Sequence, residues 1–484
     1  MTKTIEFFSK HKVFLITLFF IAIINLVLLY NDVVVTTIAI FSILGLALLL
    51  SLLINKEIFY NITIFFIPLS FIMEQRSGPA ISFPSEMFAV ILFLYLFFEF
   101  FSKGKLEFTI LKHPITILIL VDFLWMVLTS LASTMPIVSL KRTAIKLLYL
   151  TIYYFYSISV FKNTENIKKV YVLYSLGLIF PIISSFVFHA KYNFSIAAAY
   201  KMTQPFYNDH TIYGACLTFL IPIIIYFISE SKKSMKFIWI LLFLIFVVAT
   251  FLSYSRASWV SLILILFLYF ATYFKINMRS IMLILVATSM VGFLSFNVIK
   301  EKFKTNKSVS NKDISQHIES VGNVNSDASN TERLNRWYCA WRMFLDKPFA
   351  GFGPGTYQFK YGPYQIKELT TRISTYKGDK GNAHSDYLGY LCETGLPGLL
   401  IYLSLIYATM QLGLKNAYNQ ASKHRKLSMA LFLALTSFFI EGFFNSFIDI
   451  DKTMMLALCG MAALVAIDLN ENKSSDLSIK DSVI

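Results

Sequence analysis

The chain has 484 residues, of which 56% are hydrophobic, with 48 Phe and 27 Tyr. A soluble protein of this length would divide into two or three domains with polar surfaces. Successive apolar runs of about 20 residues, each long enough to cross a bilayer, exclude that. The formal charge of +15 sits mostly in short loops between those runs, which excludes a nucleic-acid partner and points to membrane lipid.

Lipid offers the backbone no hydrogen bonds, so each run is expected to be a helix. The predicted fold class is all-α: a polytopic membrane protein of about fourteen transmembrane helices (12–14), with one large outer loop containing short helices. In chain order the spans are expected at 13–30, 34–54, 58–73, 86–101, 114–132, 145–161, 169–188, 211–229, 236–252, 256–274, 280–299, 398–414, 428–445 and 453–468. The first starts at Val13 behind Lys3, Lys10 and Lys12. It is too long for a signal-peptide core and has no small-x-small cleavage site after it, so it is expected to remain as an anchor. The domains follow: N-terminal helices 1–299, a large loop 300–397, C-terminal helices 398–468 and a tail 469–484.

With the N-terminus inside, the inner loops collect Lys103, Lys105, Lys112, Lys162, Lys168, Lys232, Lys233, Lys415, Lys423 and Arg425 among others. The outer loops hold fewer basic residues, which favours this orientation. It puts 300–397 outside and both termini inside. The loop begins with "TNKSVSNKDISQHIESVGNVNSDASNT", polar and expected to be mobile. Ser329 and Glu332 then have capping-box spacing, which predicts a helix start. Arg333, Trp337, Ala340, Trp341 and Phe344 follow along one face, and Pro348 ends the helix. "GFGPGTY" is a glycine turn without the Gly-Lys-Ser/Thr of a nucleotide loop.

Several residues on the outer side are candidates for chemistry. Arg256 in "SYSRASW" either snorkels to lipid headgroups or clamps an anion; at mid-membrane an arginine costs about 2.5–3.5 kcal/mol. Lys141, Arg142 and Lys146 form a second outer cluster without one shared helix face. Arg333 can stack on an indole or meet a phosphate. Arg336 reads as a solvated or headgroup-contacting charge. His384, in "GNAHSDYLGYLCETGLPG", is expected in the first turn of a helix over about 383–394, capped by Asn382 and closed by Glu393 and Gly395. The positive end of the helix dipole disfavours imidazolium there, and a neutral imidazole can accept a proton. The same spacing also suits a plain surface histidine. Asp449 with Asp451, and Asp209 with His210, are weak pairs for a metal, and none is expected. Cys216, Cys339, Cys392 and Cys459 are scattered without metal or disulfide spacing. No cofactor is implied.

Four patches in this order resemble the O-antigen ligase and polymerase superfamily: "PFYNDHTIYGACLTFLIP", "SYSRASW", "RLNRWYCAWRMFLDKPFAGFGPGTY" and "NAHSDYLGYLCETGLPGLL". The resemblance covers roughly 204–414. It implies a metal-independent, inverting glycosyltransferase. The donor would be a polyprenyl-diphosphate-linked glycan and the acceptor a glycolipid or glycan. Arg256 and Arg333 would grip the diphosphate and His384 would activate the acceptor hydroxyl, with Lys141, Arg142, Arg336 and Glu393 as possible supports. "HS" stands where many relatives have "HN", so a helper role for that neighbour does not carry over. Ligase transfer to a lipid A core is the first expectation. Polymerisation, transfer to a protein hydroxyl, and a flippase or exporter of the same lipid are the alternatives.

Overall fold

The computed structural model describes residues 55–73, 81–103, 108–274, 328–370 and 381–481. The chain divides into two compact units, Met1–Ile64 and Phe65–Ile484. The expected spans at 13–30, 34–54 and 280–299 lie outside the described residues, as does most of the polar stretch before the loop helix. The first unit is described only from 55 to 64, within helix α1 (Lys56–Phe66). α1 has 11 residues, and a 3-10 turn and a short strand follow it. The expected span 58–73 is thus not one continuous helix, because Pro68 and Ser70 break it.

The rest is nearly all helix: α2 (Ser85–Lys103), α3 (Pro114–Leu131), α4 (Pro136–Val160, with a π-helical stretch at Leu150–Tyr156), α5 (Glu165–Lys191), α6 (His210–Glu230), α7 (Lys233–Leu252), α8 (Arg256–Tyr273), α9 (Ala328–Asp346), α10 (Asp386–Tyr418), α11 (Arg425–Phe444) and α12 (Asp451–Asp481). Among the described residues the strands are a single antiparallel pair, β1 (Phe71–Met73) and β2 (Ile81–Phe83), with Phe71 opposite Phe83. Nine described helices are long and apolar enough to cross a membrane, and α8 is a shorter apolar helix. The molecule is an all-α polytopic membrane protein.

Local chemistry starts these helices. Proline occupies the first turn of α3 and α4, where its missing N–H costs nothing. Asp209 caps α6, Ser255 caps α8 and Ser385 caps α10, each accepting a first-turn backbone N–H. α6, α11 and α12 are buried on most sides, whereas α2 and α7 keep most of their apolar surface outward, as lipid-facing helices do.

Contacts between helix ends sort them into two levels. At one level His113 lies 3.6 Å and Lys415 2.7 Å from Asp468, and Lys426 lies 2.7 Å from Glu230. At the other level lie the starts of α6, α8, α10 and α12 and the ends of α3, α7 and α11. α9 and the glycine turn pack there, over a small core of Cys339, Ala340, Met343, Phe352, Tyr357, Tyr361, Ala383 and Cys392.

Candidate active site

The His384 loop is held from α9. The Trp337 indole N–H donates to the His384 carbonyl at 3.0 Å, and Asn382 Oδ1 accepts the His384 N–H at 3.0 Å. His384 has φ 49°, a left-handed conformation uncommon for a non-glycine residue. It therefore lies outside the helix, which starts at Asp386 with Ser385 as cap. This corrects the expected helix over 383–394. Asn382 makes a turn on the loop itself, and Ser385, directly before the helix, takes the cap. The expected close does occur, since Gly395 leaves helical geometry at φ 73°.

The basicity of His384 also has a different cause from the helix dipole. His384 is half-buried, and desolvation first, then the charges of Arg333 and Arg336, push it down to about 3. Asp209 pulls the other way. Burial raises Asp209 itself, but His210, the Thr211 N–H and His384 outweigh it and hold it below the usual carboxylate range. His210 Nδ1 donates to the Ser253 carbonyl at 2.7 Å, and its ring meets Tyr200 edge-on at 4.8 Å. The charges of Arg333 and Arg256 both act on His210. The four sequence patches thus meet at one level, with His384 in electrostatic range of Arg333 and Asp209, and His210 in range of Asp209, Arg333 and Arg256.

Arg256 is the first residue of α8 and half-buried. Arg333 reaches Asn445 Oδ1 at 3.4 Å. Arg336, expected in solvent, is instead 5% exposed. Its Nε bonds Glu332 Oε1 at 2.7 Å, its NH1 donates to the Asn382 carbonyl at 3.0 Å, and it covers the Tyr361 ring at 5.1 Å. The reason is helical phase: Glu332, Arg336, Cys339, Ala340 and Met343 make the buried face of α9. Arg333, Trp337 and Trp341 lie on its half-buried flank.

The remaining candidates form other groups. Arg142 pairs with Asp449. Glu393 accepts the backbone N–H of Gly355 at 2.8 Å and of Tyr357 at 2.9 Å, so it braces the glycine turn. Lys146 bonds Asp122 at 2.6 Å and the Tyr390 hydroxyl at 2.5 Å. Lys141 is exposed on α4 and joins none of these. Of the expected Lys141, Arg142 and Lys146 cluster, Arg142 and Lys146 share electrostatic contact with Tyr390 and Asp386, and Lys141 stands apart from them. Asp451, weighed as a metal ligand, accepts the Ser85 hydroxyl at 2.6 Å.

Sequence reasoning passed over three buried residues beside the site. Glu441 is fully buried in α11 and takes hydroxyls from Thr218, Ser258 and Ser261, the latter two at 2.8 Å. Asn445 meets Arg333, and Asp386 Oδ1 accepts the Phe447 N–H at 2.9 Å and the Ile448 N–H at 3.3 Å. A carboxylate inside an apolar run, as in "FFIEGFF", is itself a functional signal.

Compared with known proteins, the chain has no match among curated proteins. A family model described as O-antigen ligase matches residues 241–403. That stretch carries Arg256, Arg333 and His384. Residues 241–403 are thus similar to the O-antigen ligase family, and the nine long apolar helices make the molecule a multi-pass membrane protein.

Proposed function

We propose that the protein moves a glycan from a polyprenyl diphosphate to an acceptor hydroxyl, with a lipid A core as acceptor, on the periplasmic face of the inner membrane. The observation that carries this reading is that Arg333 acts on both His384 and His210, and Arg256 on His210. Arg256, Arg333 and His384 come from three separate stretches of the matched residues 241–403 and converge around His210 and Asp209.

The acceptor oxygen attacks the anomeric carbon as the bond from that carbon to the diphosphate oxygen breaks. The bonding pair leaves with the diphosphate, and the hydroxyl proton passes to His384. Arg256 and Arg333 stabilise the charge gained by the leaving group, in the role a metal fills in other transferases. Attack opposite the leaving group inverts the centre. His384 is neutral near pH 7, as a base must be. The two negative phosphates beside Arg333 oppose the positive charge that weakens it, so donor binding strengthens the base. A cavity of about 360 Å³ between α5 and α7 is lined by Ile182, Phe186, Leu244, Val248 and Leu252. Leu252 lies four residues before Arg256, so this wall offers apolar surface to the prenyl chain.

The test is transfer by the purified chain in liposomes supplied with lipid-linked glycan and lipid A core. His384→Ala is expected to fold and insert normally, to lose about 10²–10⁴-fold in rate, and to leave the donor intact. Near-normal transfer by this variant would return His384 to a surface residue. Product that lengthens on the donor lipid, with none on the core, would make the enzyme a polymerase.

A further inference from the structure

The five residues 441–445, "EGFFN", end α11 and lie beyond the matched residues 241–403. Each part of this stretch touches one of the patches that carry the candidate residues. Glu441 takes the Ser258 and Ser261 hydroxyls at 2.8 Å, and Ser258 bonds the hydroxyl of Ser255 at 2.9 Å, the cap of the helix that begins with Arg256. A Cβ at Gly442 would lie 2.7 Å from Asp386 Oδ2, so a side chain there would press on the Asp386 carboxylate at the start of α10. The Phe443 ring meets Trp337 at 5.5 Å and Tyr387 at 5.9 Å. Asn445 accepts Arg333 through Oδ1 at 3.4 Å and the Asp386 N–H through its carbonyl at 3.1 Å. Asn445 Nδ2 is buried beside Arg333 without a hydrogen-bond partner.

We infer that 441–445 is the bracket that sets Arg256, Arg333 and the His384 loop relative to one another, with Glu441 and Asn445 as its positioning residues. This rests on the reading that the two arginines bind the donor diphosphate. Arg256 and Arg333 are on different helices, 77 positions apart in the chain, so neither helix alone can fix their separation. Glu441 and Asn445 are one turn apart on the end of a third, mostly buried helix. A carboxylate holding three hydroxyls across α6, α8 and α11 resists rotation of α8, which would swing Arg256 away. Misplacement of such a group by about 1 Å costs up to about 10²-fold.

Binding of undecaprenyl diphosphate without a glycan to the detergent-solubilised full chain separates the possibilities. Arg256→Ala is expected to weaken binding about 10- to 100-fold, and Glu441→Gln, nearly isosteric, about tenfold. The double variant is expected to bind no more weakly than Arg256→Ala, because Glu441 acts through that arginine. If the two losses multiply, or if Glu441→Gln binds as wild type while Arg256→Ala fails, the bracket is wrong and the diphosphate reading stands. Wild-type binding by Arg256→Ala would overturn both. Ser258→Ala combined with Ser261→Ala removes the same bridge from the α8 side and carries the same expectation, should Glu441→Gln not fold.

Discussion

Arg336 has its Nε on Glu332, its NH1 on the Asn382 carbonyl and its plane over Tyr361. A Cβ at Gly381 would lie 2.0 Å from its NH1, so the backbone is pressed against the guanidinium. A lysine has neither the fork nor the flat face for these contacts. Arg336→Lys is therefore expected to lower stability by about 1–3 kcal/mol, visible as a lower melting temperature in detergent. Arg333 is three residues earlier, on the half-buried flank of α9. Arg333→Lys is expected to melt as wild type but bind donor about tenfold more weakly, because one point charge replaces a two-pronged donor. The sequence, read by itself, predicts a silent Arg336→Lys. A silent result would mean that the Glu332 and Asn382 contacts do not form in solution.

At the scale of elements, the histidine loop and the glycine turn are two sides of one joint. The Phe352 N–H donates to the Cys392 carbonyl at 3.0 Å, Gly353 to Glu393 at 2.8 Å and Leu396 to Pro348 at 2.9 Å. The joint requires the break at Gly395, whose φ is 73°. A Cβ there would lie 2.0 Å from the Phe349 carbonyl oxygen. Gly395→Ala combines left-handed strain with this clash, so a loss of about 1–3 kcal/mol or more is expected. Partial proteolysis of α9 and the turn should show it before the membrane helices melt. Unchanged protease resistance would mean that the kink is not needed to seat the turn. Glu393 belongs to the same joint, which makes its carboxylate a brace for two backbone N–H groups rather than a contact for substrate.

At the scale of the molecule, the helix ends fall into two levels, and the basic ends of α5, α7, α10 and α11 lie opposite the candidate site. By the positive-inside rule the site is expected to face outward. Lys347→Cys, beside the glycine turn, and Lys423→Cys, between α10 and α11, are both exposed positions on opposite levels. The four native cysteines are buried, so they add little background. In cells with a permeabilised outer membrane, an impermeant thiol reagent is expected to label the first and spare the second. The reverse pattern would invert the molecule and end the periplasmic reading.

Composition by itself determined the class of this protein, because only helices satisfy the backbone along successive apolar runs in lipid. The break at Gly395 was also legible locally, since it depends on residues within one helical turn, whereas the cap expected at Asn382 fell to Ser385. The candidate triad of Arg256, Arg333 and His384 was legible because each lies in a short recognisable patch. Only the tertiary structure decided which charges are buried and with whom. Arg336 and Arg333 differ by three positions in sequence, and the core under α9 determines which one faces inward. The low basicity of His384 comes from burial and from two arginines about 50 residues away in the chain. The bracket at 441–445 is legible only in the folded molecule, because its meaning lies in contacts with helices that begin up to about 230 residues earlier.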